Sequence, residues 1–411
     1  MLAAMNPRPL LNHAFLSLLL CLAGCAGLQS ASSYLTVIDV GSSGSRAHLY
    51  RVARDHERPR VEDVAEFTID KLPALASFGA QPAAAGPQGM QPLLARLGDY
   101  LDAHAIARDS VRVDVLATAG MRLLAEADPH AERAVYASVR ETIARDGYAP
   151  GRAATISGAD EGRYAWVDVN YLNRAFDTPG PTTGIIEVGG ASAQVAYATN
   201  NEHHAGVETL TIGGMRHAVL SVSFLGLGQN EARRAMIAAS GTTMNPCYPN
   251  NDNGAAPVAF DADIGKPAVT IASGAYNAAD CAGLYRRVIA PFDIGANAKA
   301  SDFETARFIG LSSIFHALSE WDGLDRPETL GQRVDESCSG ENAWSMKVVP
   351  LQKETSKYAQ NACANGTYID ALLFDGKTGL GLDGVKLHSV KRINGMAPTW
   401  TRGYAVLEAG G

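Results

Sequence analysis

The sequence predicts an α/β protein of two related lobes facing a common cleft, and three observations predict it. A loop pattern occurs twice: Asp39-Val-Gly-Ser-Ser-Gly-Ser-Arg46 follows the β-rich run 34–38, and Glu187-Val-Gly-Gly-Ala-Ser-Ala-Gln194 follows the similar run 182–186. Strand and helix patterns alternate along the chain. The length, 411 residues with 46% hydrophobic and 19% charged content, is enough to bury two ordinary cores. Each loop is a buried-type strand ending in a carboxylate, then glycines and small residues whose backbone N–H groups can crowd around phosphate oxygens. One such loop is weak evidence, because a tight strand turn has the same composition. Two of them, about 150 residues apart, suggest lobes that grip one phosphate chain from both sides.

In the first half, strands are expected over 35–40, 45–52 and 61–69, a helix over 91–107 and a strand over 111–116. Asp128-Pro129 caps a helix with Val135, Val139 and Ile143 on one face, and a strand follows over 153–157. The second half opens in the same way, with strands over 183–187, 193–197 and 207–212, then helices and strands to about residue 391. The Pro- and Gly-rich stretches 80–89 and 241–267 read as surface excursions.

The formal net charge of −8 excludes the basic stripe that a nucleic-acid partner requires, so an anionic substrate must be held by local loops and metal. At the start, Arg8 precedes an apolar run, 14–22, too short for a membrane span and ending at Ala23 and Gly24. It reads as a secretory signal. Leu22-Ala23-Gly24-Cys25 resembles a bacterial lipobox, which predicts an exported protein lipidated on Cys25, with residues 26–34 as tether and the lipid as the only membrane contact. An ordinary signal peptide is the alternative. Of the remaining cysteines, Cys247, Cys281, Cys338 and Cys363 form no C-x-x-C pair. Four cysteines allow three pairings, and sequential pairing closes the shortest loops, each disulfide contributing ~3 to 4 kcal/mol if unstrained.

Several blocks in order resemble the apyrases, the nucleoside triphosphate diphosphohydrolases. They are VIDVGSSGSRAHLY (37–50), VLATAGMRLL (115–124), ISGADEGRYAWVDVNYL (156–172), GIIEVGGASAQVAY (184–197), SFLGLGQNEA (223–232), NPCY (245–248), CANGTYIDALL (363–373) and the ending Trp400-Thr-Arg-Gly-Tyr404. The resemblance implies the actin, sugar-kinase and heat-shock ATPase architecture: two ribonuclease-H-like lobes, here 35–157 plus 392–411 and 158–391, with a central cleft. Together with short loop closure, it implies the disulfides Cys247–Cys281 and Cys338–Cys363. Nucleoside di- and triphosphates are the implied substrates, and a monomer is expected.

Hydrolysis of a terminal phosphoanhydride needs charge neutralisation, an in-line water and a base for that water. Gly41, Ser42, Ser43, Gly44 and Ser45 on one side and Gly189, Gly190 and Ala191 on the other are expected to cradle the outer phosphates. Asp39 and Glu187 are expected to orient waters around a hard cation, Mg²⁺ or Ca²⁺. In Gly158-Ala-Asp-Glu161-Gly162, the resemblance implies that Glu161 is the general base, with Asp160 as rival; a favourable helix-dipole partner is what such a carboxylate is in isolation. Ser192 and Gln194 lie on one strand face and resemble the pair that positions the attacking water. Thr118 and Arg46 fit as phosphate or metal-water contacts. Arg122 matches a family position, with a structural ion pair as its alternative, and His203-His204 reads as a solvated loop.

Departures from the family pattern are informative too. Glu187 stands where the family has aspartate, which alters reach without removing charge. Phe315 and His316 align loosely with the family's base-stacking aromatic, although a core phenylalanine fits Phe315 equally. The late Gly-Tyr pair reads Gly376-Lys377, and Arg234 is a candidate base reader. Two other functions share parts of the pattern. An exopolyphosphatase or guanosine-pentaphosphate phosphatase shares the loops and glutamate but not the cysteine blocks or the W-T-x-G-Y ending. An actin-like nucleotide switch would need an ATP supply that export denies it.

Overall fold

The computed structural model describes residues 32–410 except 43, 54–58, 242–243, 249–257, 261–268, 272, 299–306 and 340–360. Cys25 and the expected signal segment lie outside the described residues, as does Ser43. No helix among the described residues is long and apolar enough to cross a membrane.

Two mixed sheets carry the fold. The first comprises β1 (Ser32–Gly41), β2 (Gly44–Ala53), β3 (Arg60–Thr68), β4 (Val111–Ala117) and β5 (Ala149–Thr155), in the order β3-β2-β1-β4-β5. β1, β2 and β3 are antiparallel, while β4 and β5 join in parallel through helical crossovers. The second sheet comprises β6 (Gly184–Val188), β7 (Ser192–Ala198), β8 (Val207–Ile212), β9 (Met215–Leu225), β10 (Arg307–Ser312) and β11 (Lys386–Ser389). Its order is β11-β10-β6-β7-β9-β8. With β9 in the place of β3, it repeats the first sheet and adds β8 at the edge. The duplication seen in the loops is therefore a duplication of whole sheets.

Three differences from the expected elements have local causes. β1 begins at Ser32, inside the expected tether, because it pairs with β2 from Ser32↔Ala53 onward. The helix α1 (Gln91–Ala103) stops short of residue 107 because the chain turns at Ala105, where φ is 54°. β5 starts four residues earlier than expected: Pro150 sits on an edge strand, where a missing N–H is tolerated, and a Cβ on Gly151 would stand 2.2 Å from the Val113 carbonyl oxygen.

Helices α2 (Ala119–Ala127) and α3 (Pro129–Arg145, capped by Asp128 as expected) connect β4 to β5. After β5 comes α4 (Gly158–Leu172), which packs against β7 and β9 of the other sheet. In the second lobe, α5 (Gln229–Ser240) and α6 (Ala278–Ile289) precede β10, and α7 (Ser313–Glu320), α8 (Leu330–Cys338) and α9 (Ala362–Phe374) lie between β10 and β11. The terminal α10 (Trp400–Gly410) returns to pack on β1, β2 and β3. Thus α4 and α10 cross between the sheets and against each other. A Cβ on Gly403 would lie 1.8 Å from the Tyr164 carbonyl oxygen, so the W-T-x-G-Y glycine is what lets these helices touch. Arg402 locks the crossing: it donates to Asp63 of β3 at 2.8 and 3.0 Å and to fully buried Asp168 of α4 at 2.7 Å.

Each lobe has its own core, and a third joins them through Leu35, Val37, Trp166, Ile185, Trp400 and Tyr404. The disulfides Cys247–Cys281 and Cys338–Cys363 both form, inside the second lobe, as expected.

Candidate active site

The two loops face each other across a cleft of about 1430 Å³, lined among others by Asp39, Gly41, Ser42, Gly44, Ser45, Arg46, Thr118, Glu161, Glu187, Gly189, Gly190, Ala191 and Ser192. They come close: a Cβ on Gly190 would stand 2.5 Å from Ser42 Oγ. The sheet registers make the loops equivalent position by position. Asp39 pairs with Arg46 across β1 and β2, and Glu187 pairs with Gln194 across β6 and β7. The second loop is braced from behind, where the N–H groups of Gln229 and Asn230 at the start of α5 donate to the carbonyls of Gly189 and Gly190 at 2.8 and 2.9 Å. Gly228 permits this, because a Cβ there would lie 2.1 Å from the Ala191 nitrogen.

The Gly158-Ala-Asp-Glu-Gly162 motif has a physical basis. Gly158 and Gly162 lie on one helix face, and a Cβ on either would strike Ser223 Oγ (2.1 Å) or Ser221 Oγ (2.5 Å) of β9. Their absence of side chains lets α4 sit on the sheet and carries Glu161 to the second loop. Glu161 Oε2 accepts from Arg122 Nη2 (2.7 Å) and, more weakly, from Gln194 Nε2 (3.3 Å). Oε1 has no protein partner among the described residues, and Glu161 lines the cleft. Arg122 also donates to Ser192 Oγ (2.9 Å) and the Ile156 carbonyl (3.2 Å), so its ion pair is part of the site. Asp160 is differently employed: Ser157 Oγ and Arg163 donate to it at 2.7 and 2.6 Å, and its carboxylate belongs to the helix cap. Burial pushes the Asp160 carboxyl up, but those bonds outweigh it and hold the group below its ordinary range.

Ser192 lines the cleft, whereas Gln194, expected to hold water directly, is buried and does not. Its amide nitrogen lies 2.6 Å from Ser192 Oγ and 3.1 Å from Ser223 Oγ. Gln194 orients its neighbours. Because Ser192 Oγ accepts from both Arg122 and Gln194, its own O–H remains to donate.

Three carboxyls converge electrostatically. Burial, then the charge of Glu161, pushes Asp39 up to about 7, against Arg46 and a hydrogen bond from Trp400. Burial, then the same Glu161 charge, pushes Glu187 up to about 8, against a 2.9 Å hydrogen bond from Ser312 Oγ to Oε1. Glu161 is also raised by burial, with Arg122 opposing. Glu187 Oε2 and Ser45 Oγ are buried polar atoms without a protein partner. No group of three or more His, Cys, Asp or Glu side chains among the described residues is arranged as direct metal ligands. Thr118 lines the cleft and is held by its hydroxyl on the Val40 carbonyl (3.3 Å), and Arg46, exposed on β2, lines it too.

The nucleobase candidates divide. His316 lines the cleft; Phe315 and Arg234 do not. Gln229 and Asn230, on the first turn of α5, line the cleft, and Arg234 stands one turn further along the helix from Asn230. Sequence reasoning missed Ser312, Asn230 and Asn365. Ser312 has φ 58° at the β10–α7 junction, strain of the kind found at functional sites, and nothing in its Leu-Ser-Ser-Ile context announces it.

A family model described as the GDA1/CD39 (nucleoside phosphatase) family matches residues 27–409. The chain belongs to the GDA1/CD39 nucleoside phosphatase family. Among relatives of this nucleoside phosphatase, "Probable apyrase 5" of Arabidopsis thaliana is 28% identical over 397 residues, 86% of this chain and 77% of that protein. The "Nucleoside-triphosphatase" of Pisum sativum is 28% identical over 241 residues, 55% of this chain and 52% of that protein. A solved structure titled nucleoside triphosphate hydrolases from Neospora caninum shares the fold, with a TM-score of 0.58 at 13% identity over 96% of both chains. The apyrase resemblance and the two-lobed architecture are both borne out.

The raised acids predict a pH-dependent strain. Glu187 keeps its proton in the folded state up to about pH 8 but would lose it near its ordinary 4.5 when unfolded. The folded state binds more protons in that window, so its stability falls as pH rises from 4.5 to 8. Metal-free Glu187→Gln should therefore melt above the wild type at pH 9, with the gap closing at pH 4. A gap independent of pH in thermal melts would contradict the assigned burial.

Proposed function

We propose that this nucleoside phosphatase removes the terminal phosphate of nucleoside tri- and diphosphates by attack of a water activated by Glu161. The observation that carries the proposal is the state of that carboxylate: Oε2 is fixed by Arg122, while Oε1 has no protein partner in a residue that lines the cleft beside both loops. A water on Oε1 can give up its proton as it attacks, and a carboxyl raised by burial accepts that proton better at neutral pH than an ordinary glutamate. Ser192 donates from the same side, and Gln194 and Arg122 hold Ser192 and Glu161 in register.

The residues fit a hard divalent cation, Mg²⁺ or Ca²⁺, held through waters by Asp39 and Glu187. The donor set is all oxygen, Glu187 Oε2 lacks a protein partner, and the charges repel one another in the absence of a cation. When bound, such a cation neutralises charge on the outer phosphates. The loops position those phosphates from both sides, with Thr118 and Arg46 alongside.

Glu161→Gln should keep nucleotide binding and lower turnover by a factor of about 10² to 10⁴. Asp160→Asn should have a far smaller effect, because Asp160 is committed to Ser157 and Arg163. EDTA should abolish phosphate release, and Mg²⁺ or Ca²⁺ should restore it. The opposite ranking of the two variants, full activity in EDTA or an isolable phosphoenzyme would contradict the mechanism.

Export through a lipid anchor on Cys25 belongs to the same proposal. Its support is the sequence around Cys25 and the two disulfides, which persist in oxidising compartments. Metabolic labelling with a radioactive fatty acid should mark the wild type and not Cys25→Ala; equal labelling of both would place the lipid elsewhere.

A further inference from the structure

Beside the second phosphate loop, α5 and α9 approach each other around a buried guanidinium. Arg233 is 7% exposed and donates Nη1 to Asn365 Oδ1 at 2.7 Å and Nη2 to Asn230 Oδ1 at 3.1 Å. Both asparagines line the cleft, and Arg233 does not. An arginine has donors only, so each carboxamide must turn its oxygen to the guanidinium and its NH₂ away from it. Neither amide nitrogen has a protein partner among the described residues. Asn230 Nδ2 lies 3.4 Å from where a Cβ on Gly190 would be, at the phosphate loop itself. The arrangement is anchored on both sides. Asn365 stands two residues after Cys363, whose disulfide to Cys338 ties α9 to α8, and the Asn230 N–H bonds the Gly190 carbonyl.

We propose that Arg233 fixes the polarity of Asn230 and Asn365, so that the Asn230 amide donates at the phosphate loop and the Asn365 amide donates to oxygen acceptors of the substrate's nucleoside part. Arg233 is a positioning residue in this scheme; the asparagines make the contact. The inference rests on the nucleotide reading of the cleft and deepens it. A fixed N–H donor on Asn365 favours ribose and keto oxygens over amino groups. A bare polyphosphate, seated between the loops, has no nucleoside to present to Asn365.

Calorimetric binding of β,γ-imido-ATP and of inorganic tripolyphosphate to the full chain separates these cases without turnover. Asn365→Asp keeps the shape and the bond to Arg233 but replaces the cleft-facing donor with an oxygen. It should weaken β,γ-imido-ATP about tenfold and leave tripolyphosphate within about twofold. Arg233→Met should weaken β,γ-imido-ATP similarly, and combining the two should add little, since both remove the same oriented donor. Should Arg233→Met not fold, Asn365→Asp and Asn365→Leu carry the test alone. Equal losses for both ligands, or none for β,γ-imido-ATP, would overturn the proposal, as would failure of the wild type to bind β,γ-imido-ATP. Failure of the hydrolytic reading looks different: the wild type would bind β,γ-imido-ATP but release no phosphate from ATP.

Discussion

The burial of three carboxyls, Asp39, Glu161 and Glu187, around one cleft is the constraint on which the rest of the structure depends. Each is driven up by burial, and Glu161's charge adds to the rise of the other two. Carboxyls do not gather in this way without structure that over-determines them. Here it takes three forms: equivalent strands β1 and β6 that deliver Asp39 and Glu187 to the cleft, a glycine-faced α4 that brings Glu161 onto the second sheet, and the Arg122 bond that holds one Glu161 oxygen. The crossing of α4 with α10, locked by Arg402 between Asp63 and Asp168, holds the two sheets together behind the cleft.

The duplicated lobes have divided the work. Their registers place Gly44 opposite Gly41 in one loop and Ser192 beside Gly189 in the other, and Arg46 in the position that Gln194 occupies. The first lobe thus keeps paired glycines and a cation at the cleft surface. The second replaces them with a hydroxyl and a buried amide in one network with Glu161 and Arg122. A symmetric scaffold has acquired a polar side, and the proposed water attack comes from that side.

Much of this was readable from the chain because the signals were local. Strand, acid and glycines follow one another within eight residues in each loop, and Glu161 stands in the Gly158-Ala-Asp-Glu161-Gly162 block that opens its helix. What could not be read depended on phase or on distant partners. Gln194 and Ser192 share a strand face, yet only packing against Ser223 and Glu161 shows that one lines the cleft and the other supports it. Arg234 and Arg233 are adjacent, and one step of helical phase decides which meets Asn365, 132 residues away in sequence. Ser312 bonds Glu187 across 125 residues from a strained backbone that no local pattern encodes.

On the proposed function, a cation takes the place of the protons on Asp39 and Glu187. Calorimetric titration of Mg²⁺ or Ca²⁺ into metal-free protein, repeated at one pH in buffers of different ionisation enthalpy, counts the protons released on binding. With Asp39 pushed up to about 7 and Glu187 to about 8, release of about one to two protons per cation is expected at pH 7 and close to none at pH 10. Cation binding without proton release at pH 7 would contradict it.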